Sequence, residues 1–382
     1  MRIALNATLL RAPRTGIGQY IAALFTALSA CENIEPELFL GQAWHTTLPP
    51  PATPQDTARH ARWSTRLREW PGAYPLRRFL WQRAFERGLK NRAFDLYHEP
   101  SLWPFETGLP MVMTLHDLSH VRYPQTHPPA RLREIERHID RAVIRAARIL
   151  VDSAFIAREV MTHFSLPPEK IVVAPLGCGN EFHPRTAAQT LAARGPLKLT
   201  HGEYLLCVGT LEPRKNLALA LRAHARLPDA LRARYPLLIA GISGWGKDPF
   251  SGELQSALHS GHVRLTGYLD RQHLAGLIAG ARALVYPSLY EGFGLPVLEA
   301  MASGVPVIVS RRASLPEVAG EAGVTVDAED DGALAIALQS LIEDEPGWQS
   351  RRAAGLRQAE KFTWQRCADI TAQTYRAVLT SS

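Results

Sequence analysis

Cysteines are few in this sequence, and no apolar run is long enough to span a bilayer. The four cysteines among its 382 residues stand at positions 31, 178, 207 and 367, and their spacing fits neither a disulfide framework nor a metal site. This argues against a disulfide-rich secreted domain and favours reduced thiols. A transmembrane helix needs ~20 apolar residues, and the first residues indicate a strand instead of a signal peptide. We therefore expect a cytoplasmic protein without a membrane-spanning segment.

Two common ligand-binding signatures are also missing. The loop after the first predicted strand contains Gly16 and Gly18 but lacks the complete G-x-G-x-x-G pattern. No acidic residue ends a second strand to hold a ribose, so a nicotinamide site is disfavoured. No motif of a known nucleic-acid-binding fold occurs, and we expect no nucleic acid partner.

The basic charge is concentrated in one segment. The net charge is +7, and the 34 residues from Arg59 to Arg92 carry ten basic and two acidic side chains, or +8, which leaves −1 for the rest. Six aromatic residues are interleaved with these bases: Trp63, Trp70, Tyr74, Phe79, Trp81 and Phe85. This composition suits an anionic membrane surface or a nucleic acid. The alternative is a solvated helix whose apolar side faces the core.

Short apolar runs alternate with segments of helical period along the chain. Strands are predicted at residues 2–7, 37–41, 95–98, 111–115, 149–152, 171–174, 204–208, 236–240, 263–266, 283–286, 305–309 and 324–326. The alternation predicts an α/β protein with parallel sheets and crossover helices. A polar, proline-bearing stretch after Gly179 indicates two doubly wound, Rossmann-like domains, at residues 1–182 and 198–362. Ligands of such sheets bind beyond the carboxyl ends of the strands, here in the interdomain cleft.

The most informative stretch covers residues 286–309. A buried strand is followed by a turn with Gly292 and Gly294, then by a short helix for which Pro296 is a suitable first residue. Such a helix start offers free backbone N–H groups and suits a phosphate or another anion. Glu291 before the turn and Glu299, expected in the first helical turn, can face the same crevice. The alternative is an ordinary turn in which Glu299 complements the helix dipole.

Two strand ends in the first half of the chain also carry candidate ligand-binding residues. Gly16 and Gly18 would let the backbone approach a ligand at a helix start, although a plain turn is equally compatible. His116 could hydrogen-bond a sugar or transfer a proton, with Asp117 to orient it; the alternative is a structural histidine and an N-cap aspartate.

The next strand ends lie in the second half of the chain. After Gly209, Arg214 and Lys215 could clamp a diphosphate or be solvated surface charges. A glycine-rich loop over residues 241–247 could line a nucleotide pocket. Tyr268 stands where a base could stack, with a core aromatic as the alternative.

Taken together, these residues resemble the retaining glycosyltransferases of family 4, which have the GT-B fold of two facing Rossmann-like domains. The string PSLYEGFGLPVLEAMASGVPV, which begins at Pro287 and contains Glu291 and Glu299, is the most specific match. The other motifs occur in the order and spacing of the family. The segment from Phe362 to Trp364 is also similar, and in the family the C-terminal helix, here residues 363–382, packs back on the N-terminal domain.

The resemblance implies a nucleotide-sugar donor site. Glu299 would accept hydrogen bonds from the ribose hydroxyls, and Glu291 would contact the sugar ring. Arg214 and Lys215 would neutralise the diphosphate, whose charge grows as the glycosidic bond breaks. Further donor contacts are implied for Gly16, Gly18, Gly209, Tyr268, Phe293, Gly294 and Leu295.

The resemblance also implies the chemistry. His116 would approach the far side of the sugar, and the implied catalytic residues are His116, Arg214, Lys215 and Glu291. The family needs no metal, and the sequence has no Asp-x-Asp motif, so we expect no metal and no cofactor besides the donor. The leaving diphosphate would act as the base for the acceptor hydroxyl. One departure is Thr210, since many relatives have an arginine at this position, and Arg214 would have to replace that arginine at the diphosphate.

The closest pattern is that of bacterial mannosyl- and rhamnosyltransferases of O-antigen or exopolysaccharide assembly. It implies GDP-mannose as the donor, a lipid-linked saccharide as the acceptor and peripheral contact of the segment from Arg59 to Arg92 with anionic lipid at the inner face of the plasma membrane. GDP-rhamnose or a UDP-sugar as the donor is the alternative. An epimerase or a glycogen-type synthase or phosphorylase is disfavoured by the Glu291 and Glu299 string. A non-catalytic sugar-nucleotide-binding protein is a further alternative.

Overall fold

Two parallel sheets flanked by helices form the protein, seen in a computed structural model that describes residues 1–11, 16–50, 73–241 and 253–380. The strands of the first sheet are β1 (Arg2–Asn6), β2 (Glu35–Phe39), β3 (Trp44–His45), β4 (Leu96–Glu99), β5 (Met111–Leu115), β6 (Arg148–Val151) and β7 (Ile171–Val173). Their order is β3-β2-β1-β4-β5-β6-β7. Only β3 runs antiparallel to its neighbour among these strands.

The second sheet is parallel throughout its described strands. They are β8 (Leu205–Val208), β9 (Leu237–Ala240), β10 (Val263–Gly267), β11 (Ala283–Tyr286), β12 (Val307–Ser310) and β13 (Val324–Val326). Their order is β10-β9-β8-β11-β12-β13. In each sheet the strands are added first on one side of the first strand and then on the other. The order therefore reverses between β1 and β4 in the first sheet and between β8 and β11 in the second. Such a reversal leaves a crevice at the carboxyl ends of the two strands.

Helices cover the faces of both sheets. In the N-terminal part they are α1 (Gly16–Ser29), α2 (Ala73–Lys90), α3 (Ser119–Arg122), α4 (Pro129–Arg145), α5 (Ala154–Phe164) and α6 (Ala187–Arg194). The remaining helices are α7 (Leu217–Ala225), α8 (Asp229–Arg234), α9 (Glu253–His259), α10 (Arg271–Gly280), α11 (Leu295–Ala302), α12 (Leu315–Ala319), α13 (Asp331–Glu343), α14 (Glu345–Ala359) and α15 (Trp364–Thr380). None of the described helices is both long and apolar enough to cross a bilayer.

The last helix, α15, packs against α1 of the N-terminal half. Its Tyr375 is fully buried, and the hydroxyl lies 2.6 Å from Nδ1 of His98 on β4. The chain passes between the two domains twice, once after β7 and once before α15. These two segments are in contact, because Cys178 pairs with Thr363 in an isolated bridge. A methyl group on Gly177 would lie 2.0 Å from the backbone nitrogen of Trp364, so only glycine fits at this contact.

The α/β prediction is confirmed, and the twelve predicted strands occur with ends shifted by at most two residues. Strand β3 was not predicted, because an edge strand of two residues is too short to show a period. In the basic segment, residues 59–72 lie outside the described residues, and the rest forms α2 and the turn after it. Phe85 is fully buried there, so this aromatic residue belongs to the core and not to a surface.

Candidate active site

Glu291 lies buried between two cations. The turn after β11 carries it to a position where one carboxylate oxygen is 2.6 Å from Nζ of Lys215 and the other is 3.1 Å from Nη1 of Arg214. Burial would raise the pKa of Glu291, but Lys215 and Arg214 hold it below the ordinary value. The site therefore contains an ionised carboxylate whose charge is matched by its neighbours.

The two cations come from a short turn after β8. Arg214 also donates to the carbonyl of Tyr290 at 2.9 Å and pairs with Glu212 at 2.8 Å, while Lys215 donates to the hydroxyl of Tyr286 at 2.8 Å. Burial lowers the pKa of Lys215, and Glu291 opposes that effect. In this structure both cations are thus held by Glu291, and not free at the surface.

Glu299 has a different partner. It is the fifth residue of α11, which begins at Leu295, so the prediction that it lies in the first helical turn is wrong. It is only 4% exposed, and its carboxylate lies 3.2 Å from Nη1 of Arg271. Burial raises the pKa of Glu299 to about 7, despite the opposing charge of Arg271. Sequence reasoning missed Arg271, because no motif marks the start of α10.

His116 is oriented by Asp152, so the prediction that Asp117 orients it is wrong. Its Nδ1 lies 2.7 Å from the carboxylate of Asp152, while Asp117 accepts a hydrogen bond from the backbone of Ser119 at 2.8 Å. Burial would lower the pKa of His116, but Asp152 raises it above the ordinary value. The pairing of β5 with β6 places Leu115 beside Val151, and the register of two predicted neighbouring strands could have revealed this partner.

Residues of the two halves meet at the Glu291 turn. A methyl group on Gly292 would lie 1.8 Å from the carbonyl oxygen of His116, so glycine is required at this close approach. The carbonyl of Gly292 accepts a hydrogen bond of 2.8 Å from the hydroxyl of Ser153, at the start of α5. Arg214 lowers the pKa of Asp117, against the effect of burial. The structure thus brings His116 next to the turn that carries Glu291.

The helix that follows the turn has a start suited to an anion. Gly294 adopts φ +104°, which favours glycine, and precedes the first helical residue. No described group accepts a hydrogen bond from the backbone amides of Phe293, Gly294 or Leu295. Phe293 itself is buried and packs its ring against Phe362. The start of α11 therefore leaves these backbone amides available to an anion, and anion binding there stays a prediction.

The remaining predicted residues lie at the carboxyl ends of the strands. Gly209 adopts φ +141° beside Lys215, and a methyl group on Gly241 would lie 1.9 Å from the carbonyl oxygen of Gly209. Tyr268 is 39% exposed, which excludes the alternative of a core aromatic. Residues 242–247 of the glycine-rich loop lie outside the described residues.

The loop of Gly16 and Gly18 belongs to the other domain. Gly16 is the first residue of α1, and Gly18 is buried in its first turn. A methyl group on Gly16 would meet no atom of the described residues within 4 Å. Packing against the described part of the chain therefore does not require glycine at this helix start.

Comparison with protein families covers nearly all of the chain. The family described as Glycosyltransferase Family 4 matches residues 14–179, and the family described as Glycosyl transferases group 1 matches residues 192–361. The O-antigen chain mannosyltransferase B of Escherichia coli is 34% identical over 379 residues, which are 98% of this chain and 100% of that protein.

Solved structures agree on the fold. Sucrose-phosphate synthase from Thermosynechococcus elongatus matches with a TM-score of 0.73 at 22% identity, over 100% of both chains. Anabaena Alr3699/HepE, in complex with UDP and glucose, matches with a TM-score of 0.72 at 16% identity, over 99% of this chain and 100% of that one. The chain therefore belongs to the glycosyltransferases of family 4 and is a glycosyltransferase with two facing Rossmann-like domains.

Proposed function

We propose that the protein transfers mannose from GDP-mannose to a saccharide acceptor, with retention of the anomeric configuration, in O-antigen or related cell-surface polysaccharide assembly. The observation that carries this proposal is the likeness along the whole chain to an O-antigen chain mannosyltransferase of Escherichia coli. The acceptor is a growing chain on a lipid carrier. No metal ion takes part.

The donor lies between the two domains in this proposal. Its diphosphate contacts the free amides at the start of α11, the cations Arg214 and Lys215 and the exposed start of α1 at Gly16. Glu299 accepts hydrogen bonds from the ribose, and the exposed ring of Tyr268 stacks on the base. The free N–H groups and the positive end of the helix dipole both favour a bound diphosphate.

The reacting sugar lies between Glu291 and His116. The cations stabilise the charge that develops on the leaving diphosphate, and one of its oxygens accepts the proton of the acceptor hydroxyl. Asp152 favours the protonated ring of His116, which can then donate a hydrogen bond to the sugar. Since the diphosphate serves as the base, Glu291 positions the sugar and forms no covalent bond.

A panel of nucleotide sugars tests the donor. We expect GDP-mannose to raise the melting temperature more than GDP-rhamnose, UDP-glucose or UDP-galactose, because specific binding stabilises the folded state. Transfer of labelled mannose to a mannose-terminated oligosaccharide, with the product linkage read by NMR, tests the reaction and its stereochemistry. A stronger shift with a UDP-sugar would refute the donor assignment, and binding without transfer or hydrolysis would favour the non-catalytic alternative.

Contact with an anionic membrane is a further part of the proposal, and the described part of α2 supports it. Leu76, Phe79 and Leu80 are 52–57% exposed, which is uncommon for large apolar side chains. At 3.6 residues per turn they share one face with the exposed bases Arg83, Arg87 and Lys90. The opposite face carries the buried Phe85. Apolar side chains beside cations suit the interface of a bilayer with anionic lipid.

Liposome flotation tests this surface. We expect binding to vesicles with phosphatidylglycerol that falls as salt rises from about 0.1 to about 1 M, since the Debye length falls from about 10 to about 3 Å. The double variant Phe79→Ser, Leu80→Ser should lose binding, and Arg83→Glu, Arg87→Glu should lose it most at low salt. Substitution of Ile336, which is 73% exposed on α13, to serine is the matched control. Binding that ignores lipid charge, salt and the α2 variants would refute the proposal.

A further inference from the structure

Arg271, the first residue of α10, lies between two carboxylates from different parts of the chain. Its Nη1 is 3.2 Å from the carboxylate of Glu299, and its Nε forms an ion pair with Glu181. The guanidinium also lies over the ring of Phe182, 4.7 Å from its centroid. Three contacts therefore fix the position of this side chain.

Glu181 belongs to the connection between the two sheets. It follows β7 and precedes α6, eight residues after the last strand of the N-terminal sheet. The same connection touches the second chain crossing, through the bridge of Cys178 to Thr363. Arg271 thus links the buried carboxylate of α11 to the connection between the two domains.

Burial and two neighbouring side chains determine the charge of Glu299. Burial raises its pKa to about 7, Arg271 lowers it, and Glu181 raises it. The thiol of Cys178 is the other ionisable group nearby, and burial followed by the charge of Glu299 keeps it protonated. An ionised carboxylate accepts hydrogen bonds from both hydroxyls of a diol, whereas a protonated one has to donate at one oxygen. Near neutral pH the ability of Glu299 to bind a ribose therefore depends on Arg271.

We propose that Arg271 is a positioning residue which holds Glu299 ionised and oriented for the nucleotide ribose, and that Glu181 of the interdomain connection competes for it. This rests on the proposed donor site. Movement of the connection that draws Glu181 away from Arg271 strengthens the pair of Arg271 with Glu299 and so increases donor affinity. Movement toward Arg271 does the opposite. The ribose site thereby senses the position of the connection.

Calorimetric titration with GDP-mannose between pH 5.5 and 9 tests the inference, because its diphosphate diester does not titrate in this range. We expect the wild type to gain affinity up to about pH 7, by at most about tenfold per pH unit, and to change little above it. Arg271→Met should weaken binding about tenfold or more at pH 7 and recover part of the loss at pH 9. Arg271→Lys should be intermediate. Glu181→Gln should move the midpoint to lower pH, opposite to Arg271→Met.

Two comparisons separate this role from a purely structural one. Arg234→Met is the matched control, since Arg234 pairs with Glu203 at the opposite ends of the strands, and it should leave the pH profile unchanged. The loss in Arg271→Met should be about threefold or less for 2′-deoxy-GDP, which lacks one of the ribose hydroxyls, but larger for GDP. A loss in Arg271→Met that is the same at all pH values, or midpoints that shift in one direction in both variants, would overturn the inference.

Failure of the proposed donor site gives a different result. If the wild type binds neither GDP-mannose nor a UDP-sugar, or if Glu299→Gln binds the donor as well as the wild type, the ribose assignment itself is wrong. If Glu299→Gln weakens binding while Arg271→Met does not, the donor site stands and the role of Arg271 is refuted.

Discussion

Glutamine at position 291 should destabilise the protein even without a donor. Glu291→Gln keeps the shape and one acceptor oxygen but removes the charge between Lys215 and Arg214. Arg214 retains Glu212 at 2.8 Å, whereas the only other described partner of the buried Lys215 is the neutral hydroxyl of Tyr286. Removal of one partner of a buried ion pair costs about 3–5 kcal/mol. Because glutamine keeps one acceptor oxygen, we expect the loss of folding stability to lie at the lower end of this range, about 3 kcal/mol.

The ability of Lys215 to lose its proton limits this cost. Neutralising a lysine of ordinary pKa costs about 5 kcal/mol at pH 7 and about 2 kcal/mol at pH 9. Burial already lowers the pKa of Lys215, and without Glu291 it falls further. A folded state that binds fewer protons than the unfolded chain gains stability as pH rises. The free energy of unfolding of the variant should therefore be lower than that of the wild type by about 3 kcal/mol at pH 7, but by only about 2 kcal/mol or less at pH 9.

Differential scanning calorimetry of both proteins at the two pH values measures this effect. For a domain of this size about 3 kcal/mol corresponds to ~6–12 °C in melting temperature. Glu203→Gln is the matched control, because its partner Arg234 is 62% exposed and such surface pairs contribute about 0–1 kcal/mol. If both variants melt within about 2 °C of the wild type, the buried pair contributes little to stability. A deficit that grows with pH would refute the assignment of the unpaired charge to Lys215.

Three further outcomes are expected. Gly292→Ala should abolish most transfer activity while each domain stays folded by circular dichroism, because the added methyl group would lie 1.8 Å from the His116 carbonyl oxygen and force the domains apart; unchanged kcat and KM would refute this contact in solution. Gly16→Ala should raise the KM for the donor without lowering the melting temperature, with Gly108→Ala, whose methyl position also has no described atom within 4 Å, as the control; equal KM values would argue against donor contact at Gly16. Asp152→Asn should move the loss of activity at high pH to lower pH, because Asp152 raises the pKa of His116; an unchanged pH–rate profile would show that protonated His116 is not required.

Most of the fold follows from local patterns in the sequence. Alternation of apolar runs with helical segments predicts the parallel strands, since the central strands of both sheets are buried on both faces and therefore appear as continuous apolar runs. The edge strand β3 could not be found this way, because it has two residues and depends on its pairing with β2. The same limit applies to the first residue of α11, where the conformation of Gly294 decides between Leu295 and Pro296.

The site was only partly predictable for a related reason. Position at a strand end identified His116, Glu291 and Glu299, but their partners Asp152 and Arg271 depend on which elements lie side by side. The sequence around a charged residue does not show which side chain will lie next to it in the folded protein. The roles of the site residues and the effect of Thr210 stay predictions, as do the domain boundaries.

Three consecutive residues of the turn after β11, Tyr290, Glu291 and Gly292, each make a different contact in the site. Tyr290 crosses to the N-terminal domain, where its hydroxyl lies 2.5 Å from the carboxylate of Glu159 and 3.0 Å from the backbone nitrogen of Leu118. Glu291 holds the two cations, and Gly292 lies against His116. Opening of the two domains would therefore separate Tyr290 from Glu159 and Gly292 from His116, whereas the contacts of Glu291 with Lys215 and Arg214 lie within one domain. It follows that His116 joins the Glu291 side of the site only where the two domains are in contact, as they are here.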